Sequence, residues 1–165
     1  MMFGTDRGAS PSSVLPWRRA NPRAALPSAG VLLASTGRPF SDVAINRTVE
    51  LAQGNRVRVI TIARIHGSSF GLQHPGLMPN KKEKDAAQAL VTHAIKALQK
   101  AGTKADGEGV ITRSPGRSFA KAARAAGVAR VVIDDTGPRR LDKIDAWLAA
   151  RYLQLRLKDV DLAVI

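Results

Sequence analysis

Cysteine is missing altogether from the 165 residues. Its absence excludes disulfides, zinc-thiolate sites and thiol nucleophiles, and leaves no specific reason to place the protein outside the cytoplasm, its expected location. Aromatic residues make up only 4% of the chain, and they do not interleave with the cations as a base-stacking surface requires. Acidic residues are scarce as well: 13 stand against 26 Lys and Arg, a formal charge of +13. Such an excess attracts polyanions at moderate salt, so nucleic acid, an anionic membrane surface or an acidic protein is the expected class of partner. Long apolar runs are lacking too, and no stretch reaches the roughly 20 residues needed to span a bilayer. The opening residues place their arginines after a short apolar stretch and lack the apolar core of a secretory signal.

Residues 1–29 are rich in Pro, Ser, Ala and Arg, with neither helical nor strand periodicity. They read as a flexible basic extension, either a solvated tail or an arm whose Trp17, Arg18, Arg19 and Arg23 grip a phosphate backbone. Residues 30–165 suit one compact domain. Short apolar runs predict strands at Val31 to Ser35, Val57 to Ala63, Gly109 to Thr112, Val131 to Asp134 and Asp161 to Ile165. Four helical patterns fall between them. Ser41 is placed to cap the first, which turns Ile45, Val49 and Ala52 inward. Asn80 and Glu83 resemble a capping box opening the second, where Ala87, Leu90, Ala94 and Leu98 form a stripe before Gly102. The third runs from about Arg117 to Ala126, and the fourth from about Leu141 to Leu155, with Leu141, Ile144, Leu148, Tyr152 and Leu155 as its apolar face. Strict alternation of strand and helix predicts a parallel α/β sheet with right-handed crossovers and helices on both faces.

In such a sheet ligands bind beyond the carboxyl ends of the strands, where successive connections leave in opposite directions. The loop Ser35 to Phe40 sits there if the first strand is central. On the third helix, Arg117, Lys121 and Arg124 share one face, with Arg113 just before it, making a basic stripe able to contact phosphates or simply a solvated surface. His66, His74 and His93 have no recognised metal-ligand spacing. The segment Ile65 to Asn80 has the length and the Gly, Ser and Pro content of a lid or binding loop. Ser68, Ser69 and Ser118 lack an adjoining His and Asp pattern, and no paired carboxylates mark a cleft, so catalysis is not expected.

The stretch GVLLASTGRPFSDVAINRTVELA resembles the first strand, loop and helix of the universal stress protein family. RVRVITIARI is similar to its second strand, and GRSFAKAARAAGVARVVI and the closing DLAVI follow in the family's order. The resemblance implies a five-stranded parallel sheet of order 3-2-1-4-5, often dimeric through the last strand. It implies an adenine-nucleotide site in some members and none in others. Members that bind ATP are similar in carrying Asp at the end of the first strand, where this chain has Thr36. They also carry G-x2-G-x9-G-[ST] after the fourth strand. Laid on VVIDDTGPRRLDKIDAWLAAR, that pattern keeps Gly137 but puts Arg140, Ala150 and Arg151 at its other positions. Glycines serve there because backbone must approach phosphate closely. The resemblance therefore implies a degenerate site and no standard ATP cofactor.

Three functions follow from the sequence. The first is a non-enzymatic stress-related or regulatory binding protein, homodimeric through its last strand. The second is an adenine-nucleotide binder of altered geometry, using Ser35, Thr36, Gly37, Gly137, Arg139, Arg140 and main-chain groups after Ile62. Asp134 and Asp135 are placed to pair with those arginines and close the pocket. The third is an adaptor for RNA, DNA, a ribosome or another acidic partner through Arg18, Arg19, Arg113, Arg117, Lys121 and Arg124.

Overall fold

A computed structural model describes residues 30–64, 81–112, 114–136, 140–157 and 159–165, with backbone alone for 64 and 140–145. Five strands alternate with four helices: β1 (Val31–Ser35), α1 (Asp42–Ala52), β2 (Val57–Arg64), α2 (Lys81–Lys100), β3 (Ala105–Thr112), α3 (Pro115–Ala126), β4 (Arg130–Asp134), α4 (Arg140–Arg156) and β5 (Asp161–Val164). All neighbours are parallel, in the order β3-β2-β1-β4-β5, so β1 is central, as the resemblance implied.

Burial explains the apolar runs. Every residue of β1 is buried, because successive side chains enter cores on opposite faces of the sheet. Val31, Leu33, Val57, Val59 and Val132 pack under α1 and α2 with Ile45, Val91 and Leu98. Leu32, Ala34, Ile60, Ile62, Val131 and Ile133 pack on the other face with Phe119 of α3 and Leu153 of α4. Burying each large aliphatic side chain contributes about 1.5–3 kcal/mol before the opposing chain entropy.

Two elements depart from expectation. β3 begins at Ala105, four residues before the predicted start at Gly109. The polar stretch holds as strand because Asp106 pairs with Arg56 and Arg58, and Glu108 with Arg58. Burial works to lower the Arg58 pKa, but its hydrogen bonds and charge interactions with Asp106 and Glu108 outweigh it and raise the value.

The second departure concerns α4. Leu148 and Leu155, predicted inward, are 52% and 65% exposed, while Ala146, Ala149, Ala150 and Leu153 face the core. Small residues win that side because α3 and α4 lie close together: a Cβ built at Gly116 would come within 2.9 Å of Tyr152 Cβ and 3.2 Å of Ala149 Cα.

Candidate functional site

α1 packs on one face of the sheet and α4 on the other. The connections leaving β1 and β4, which are adjacent strands, therefore diverge, and the crevice beyond their carboxyl ends is the position where α/β sheets take ligands. Three polar side chains, Ser35, Thr61 and Asp134, are buried at those ends.

Ser35 and Thr61 form a hydroxyl relay. The Ser35 hydroxyl donates to the Arg38 carbonyl at 3.0 Å, and its oxygen lies 2.7 Å from Thr61 Oγ1. With its own proton committed to Arg38, Ser35 accepts the proton of Thr61. Thr61 Oγ1 in turn accepts the Gly37 N–H at 3.2 Å. Gly37 has φ +81, and a Cβ there would stand 2.6 Å from the Ile62 carbonyl oxygen. Only glycine lets the β1–α1 loop lie this close over the end of β2. Phe40, buried in the α1 and α2 core, fixes the far end of the loop.

Asp134 spans the switch point itself. Its Oδ2 accepts the Ser41 N–H at 2.6 Å, while Oδ1 accepts the Thr136 N–H at 3.0 Å and the Thr136 hydroxyl. Ser41 caps α1 as predicted, its hydroxyl oxygen accepting the Ala44 N–H at 3.2 Å. The carboxylate at the start of α1 also suits the positive end of the helix dipole. Asp135 donates its N–H to the Ile165 carbonyl at 2.6 Å, yet its buried Oδ1 has no hydrogen-bond partner.

The predicted site residues therefore separate. Ser35 and Gly37 hold the loop, and Thr36 beside them is partly exposed. Gly137, Arg139, Arg113, Arg18 and Arg19 lie outside the described residues, as does the segment 65–80. Arg140 is the first residue of α4, its side chain outside the described set. Ala150 and Arg151 sit deep within that helix, and Ala150 packs into the core, so the latter half of the family's glycine pattern falls on regular helix. Asp134, expected opposite Arg139 and Arg140, engages Ser41 and Thr136 with its two oxygens. Arg117, Lys121 and Arg124 are brought together on the exposed side of α3.

Sequence reasoning missed Thr61, whose one signal was a hydroxyl within the otherwise apolar run VITIA. His93 is exposed on α2. Among the described residues no group of three or more His, Cys, Asp or Glu is placed to hold a metal, and no helix is long and apolar enough to cross a membrane. An open depression of about 690 Å³, lined by Arg56, Gln99, Gly102, Thr103, Lys104 and Ala105, lies at the opposite end of the sheet. It begins where β3 begins, far from the diverging connections.

No protein-family model matches the sequence, and no curated protein matches it either. Solved structures do. The universal stress protein from Archaeoglobus fulgidus superposes with a TM-score of 0.58 at 16% identity, covering 83% of this chain and 98% of that one. The Archaeoglobus fulgidus protein in complex with dAMP gives 0.57 at 16% identity, over 85% and 99%. A universal stress protein in complex with cAMP gives 0.53 at 15% identity, over 84% and 97%. With its parallel order β3-β2-β1-β4-β5 and TM-scores above 0.5 over more than four-fifths of its length, the chain has the fold of the universal stress proteins.

Proposed function

We propose that this chain is a cytoplasmic, non-enzymatic binding or regulatory protein on the universal stress protein fold, acting without the family's ordinary ATP site. One observation carries the reading: the buried carboxylate of Asp134 bridges β4 to the N-cap amide of α1, that of Ser41, across the switch point. A phosphate entering there meets a negative charge, with Asp135 next to it, where a binder offers bare amides. Two unit negative charges 5 Å apart repel by about 3 kcal/mol at an effective dielectric of about 20. The extent of α4 supports the same conclusion, since Ala150 and Arg151, at the later glycine and hydroxyl positions, lie within helix.

The neighbours in complex with dAMP and cAMP keep a second reading in play, in which Thr36, Gly37, Gly137, Arg139 and Arg140 hold an adenine nucleotide in altered geometry. Titration calorimetry of the whole chain with ATP, AMP and cyclic AMP separates the two. The expected result is no heat of binding at millimolar ligand; a saturable isotherm establishes the second reading.

The proposal includes a homodimer through β5. That strand closes one edge of the sheet with only four residues, and Val164 on it is 47% exposed. An apolar edge of this kind invites a further strand. Light scattering on dilute protein is expected to give twice 17.6 kDa. A stable monomer would contradict it.

A further inference from the structure

We propose that the outer seam between α3 and α4 is a docking site for an acidic amphipathic helix of a partner protein. The inference rests on the chain being a binding protein and does not depend on the state of the nucleotide crevice.

Two contacts orient the helices. Gly116 lies against Ala149 and Tyr152, and the Arg124 guanidinium donates to the Arg156 carbonyl at 3.0 Å. Later residues of α3 meet later residues of α4, so the two helices run side by side in the same direction. At 100° per residue, Arg117 and Lys121 fall within about 60° of Arg124 around the α3 axis. Leu148 and Leu155 fall within about 60° of Tyr152 around the α4 axis. The outer wall on the α3 side is thus cationic, and the wall on the α4 side carries Leu148, Tyr152 and Leu155, with Arg156 at its end.

Each wall is unmatched within the described chain. α3 contains no acidic residue, and Arg117 and Lys121 have no ion-pair partner among the described residues. Leu148 and Leu155 are more than half exposed, and both lie on the side of α4 that carries Tyr152. Arg156 lies over the Tyr152 ring at 5.7 Å, adding a fourth cation at the end of the seam.

The dimensions select the occupant. Arg117 to Arg124 and Leu148 to Leu155 each span seven residues, about 10 Å or two helical turns. A helix laid along the seam presents apolar side chains at i, i+3 or i+4, and i+7 to the leucines. Its Glu and Asp residues, one flank round, reach the guanidinium groups. Nucleic acid uses the cations but leaves the leucines in water, and the chain's scarcity of aromatics offers it no stacking. A second copy of a chain carrying +13 brings like charge to a cationic wall.

The test is a phage-displayed library of 16-residue peptides selected on the full chain and counter-selected on Arg117→Glu/Lys121→Glu/Leu155→Ser. Enriched peptides are expected to combine Glu or Asp with apolar residues at helical spacing. The best of them, measured by fluorescence anisotropy, should lose at least tenfold in affinity to Arg117→Glu/Lys121→Glu and at least fivefold to Leu148→Ser/Leu155→Ser. Arg117→Gln/Lys121→Gln should lose less in the same direction. All the substituted side chains are exposed, and matching urea midpoints establish that the variants fold. The proposal is overturned by a library that does not distinguish the full chain from the variant, or by a peptide indifferent to the leucine pair. Tighter stripe-dependent binding of a 20-mer of deoxythymidine, or of phosphatidylserine vesicles, overturns it equally.

Discussion

At the carboxyl end of the sheet, Ser35, Thr61 and Asp134 all bond to the β1–α1 loop; along the outside of α3, Arg117 and Lys121 have no charged partner among the described residues. The difference follows from burial. A polar group removed from water must find a partner or lose about 1–3 kcal/mol, whereas an exposed cation is satisfied by solvent and stays available. The bonds at the carboxyl end form an internal joint between β1, β2 and β4. Arg117 and Lys121, on the exposed side of α3, stay open to solvent.

Substitutions that break the joint should cost stability, and those on the helices should cost binding alone. Gly37→Val has the largest expected effect, because a side chain at φ +81 would collide with the Ile62 carbonyl. The loss should be about 3 kcal/mol in urea unfolding. Asp134→Ala removes the acceptor of three hydrogen bonds from Ser41 and Thr136, and a loss of about 2–3 kcal/mol is expected. Thr61→Val keeps the shape but deprives the Gly37 N–H of its acceptor and Ser35 of its donor; about 1–2 kcal/mol should follow. Arg117→Glu/Lys121→Glu should change stability by no more than about 0.5 kcal/mol. If that pair destabilises the chain as much as Asp134→Ala does, the contrast between the two regions is wrong.

The architecture was legible because β1, β2 and β4 are buried on both faces and therefore read as continuous apolar runs. Ser41 announced its cap, and α3 stops where expected, at Ala126, before Gly127 with φ +60. β3 hid its first half because its charges are answered by Arg56 and Arg58 some fifty residues earlier, a pairing that local pattern does not reveal. α4 misled because it is apolar around much of its circumference. Leucine outweighs alanine in any hydrophobicity pattern, yet close packing against Gly116 put the alanines inside.

Of the crevice, the resemblance implied what was missing: an acid at Thr36 and glycines at Arg140 and Ala150. It did not report what fills the space. The Ser35–Thr61–Gly37 relay joins residues 24 to 26 apart through strand pairing, and Asp134 reaches Ser41 across 93 residues. Neither contact has a local signature.

The central claim is that the switch-point crevice is closed by the chain's own hydrogen bonds to a nucleotide's phosphates. Amide NMR of the whole chain during titration with ATP tests it most directly, because Gly37, Ser41 and Thr136 each report from one bond of the joint. Their resonances are predicted to stay in place at millimolar ATP. Saturable shifts at all three would contradict the account.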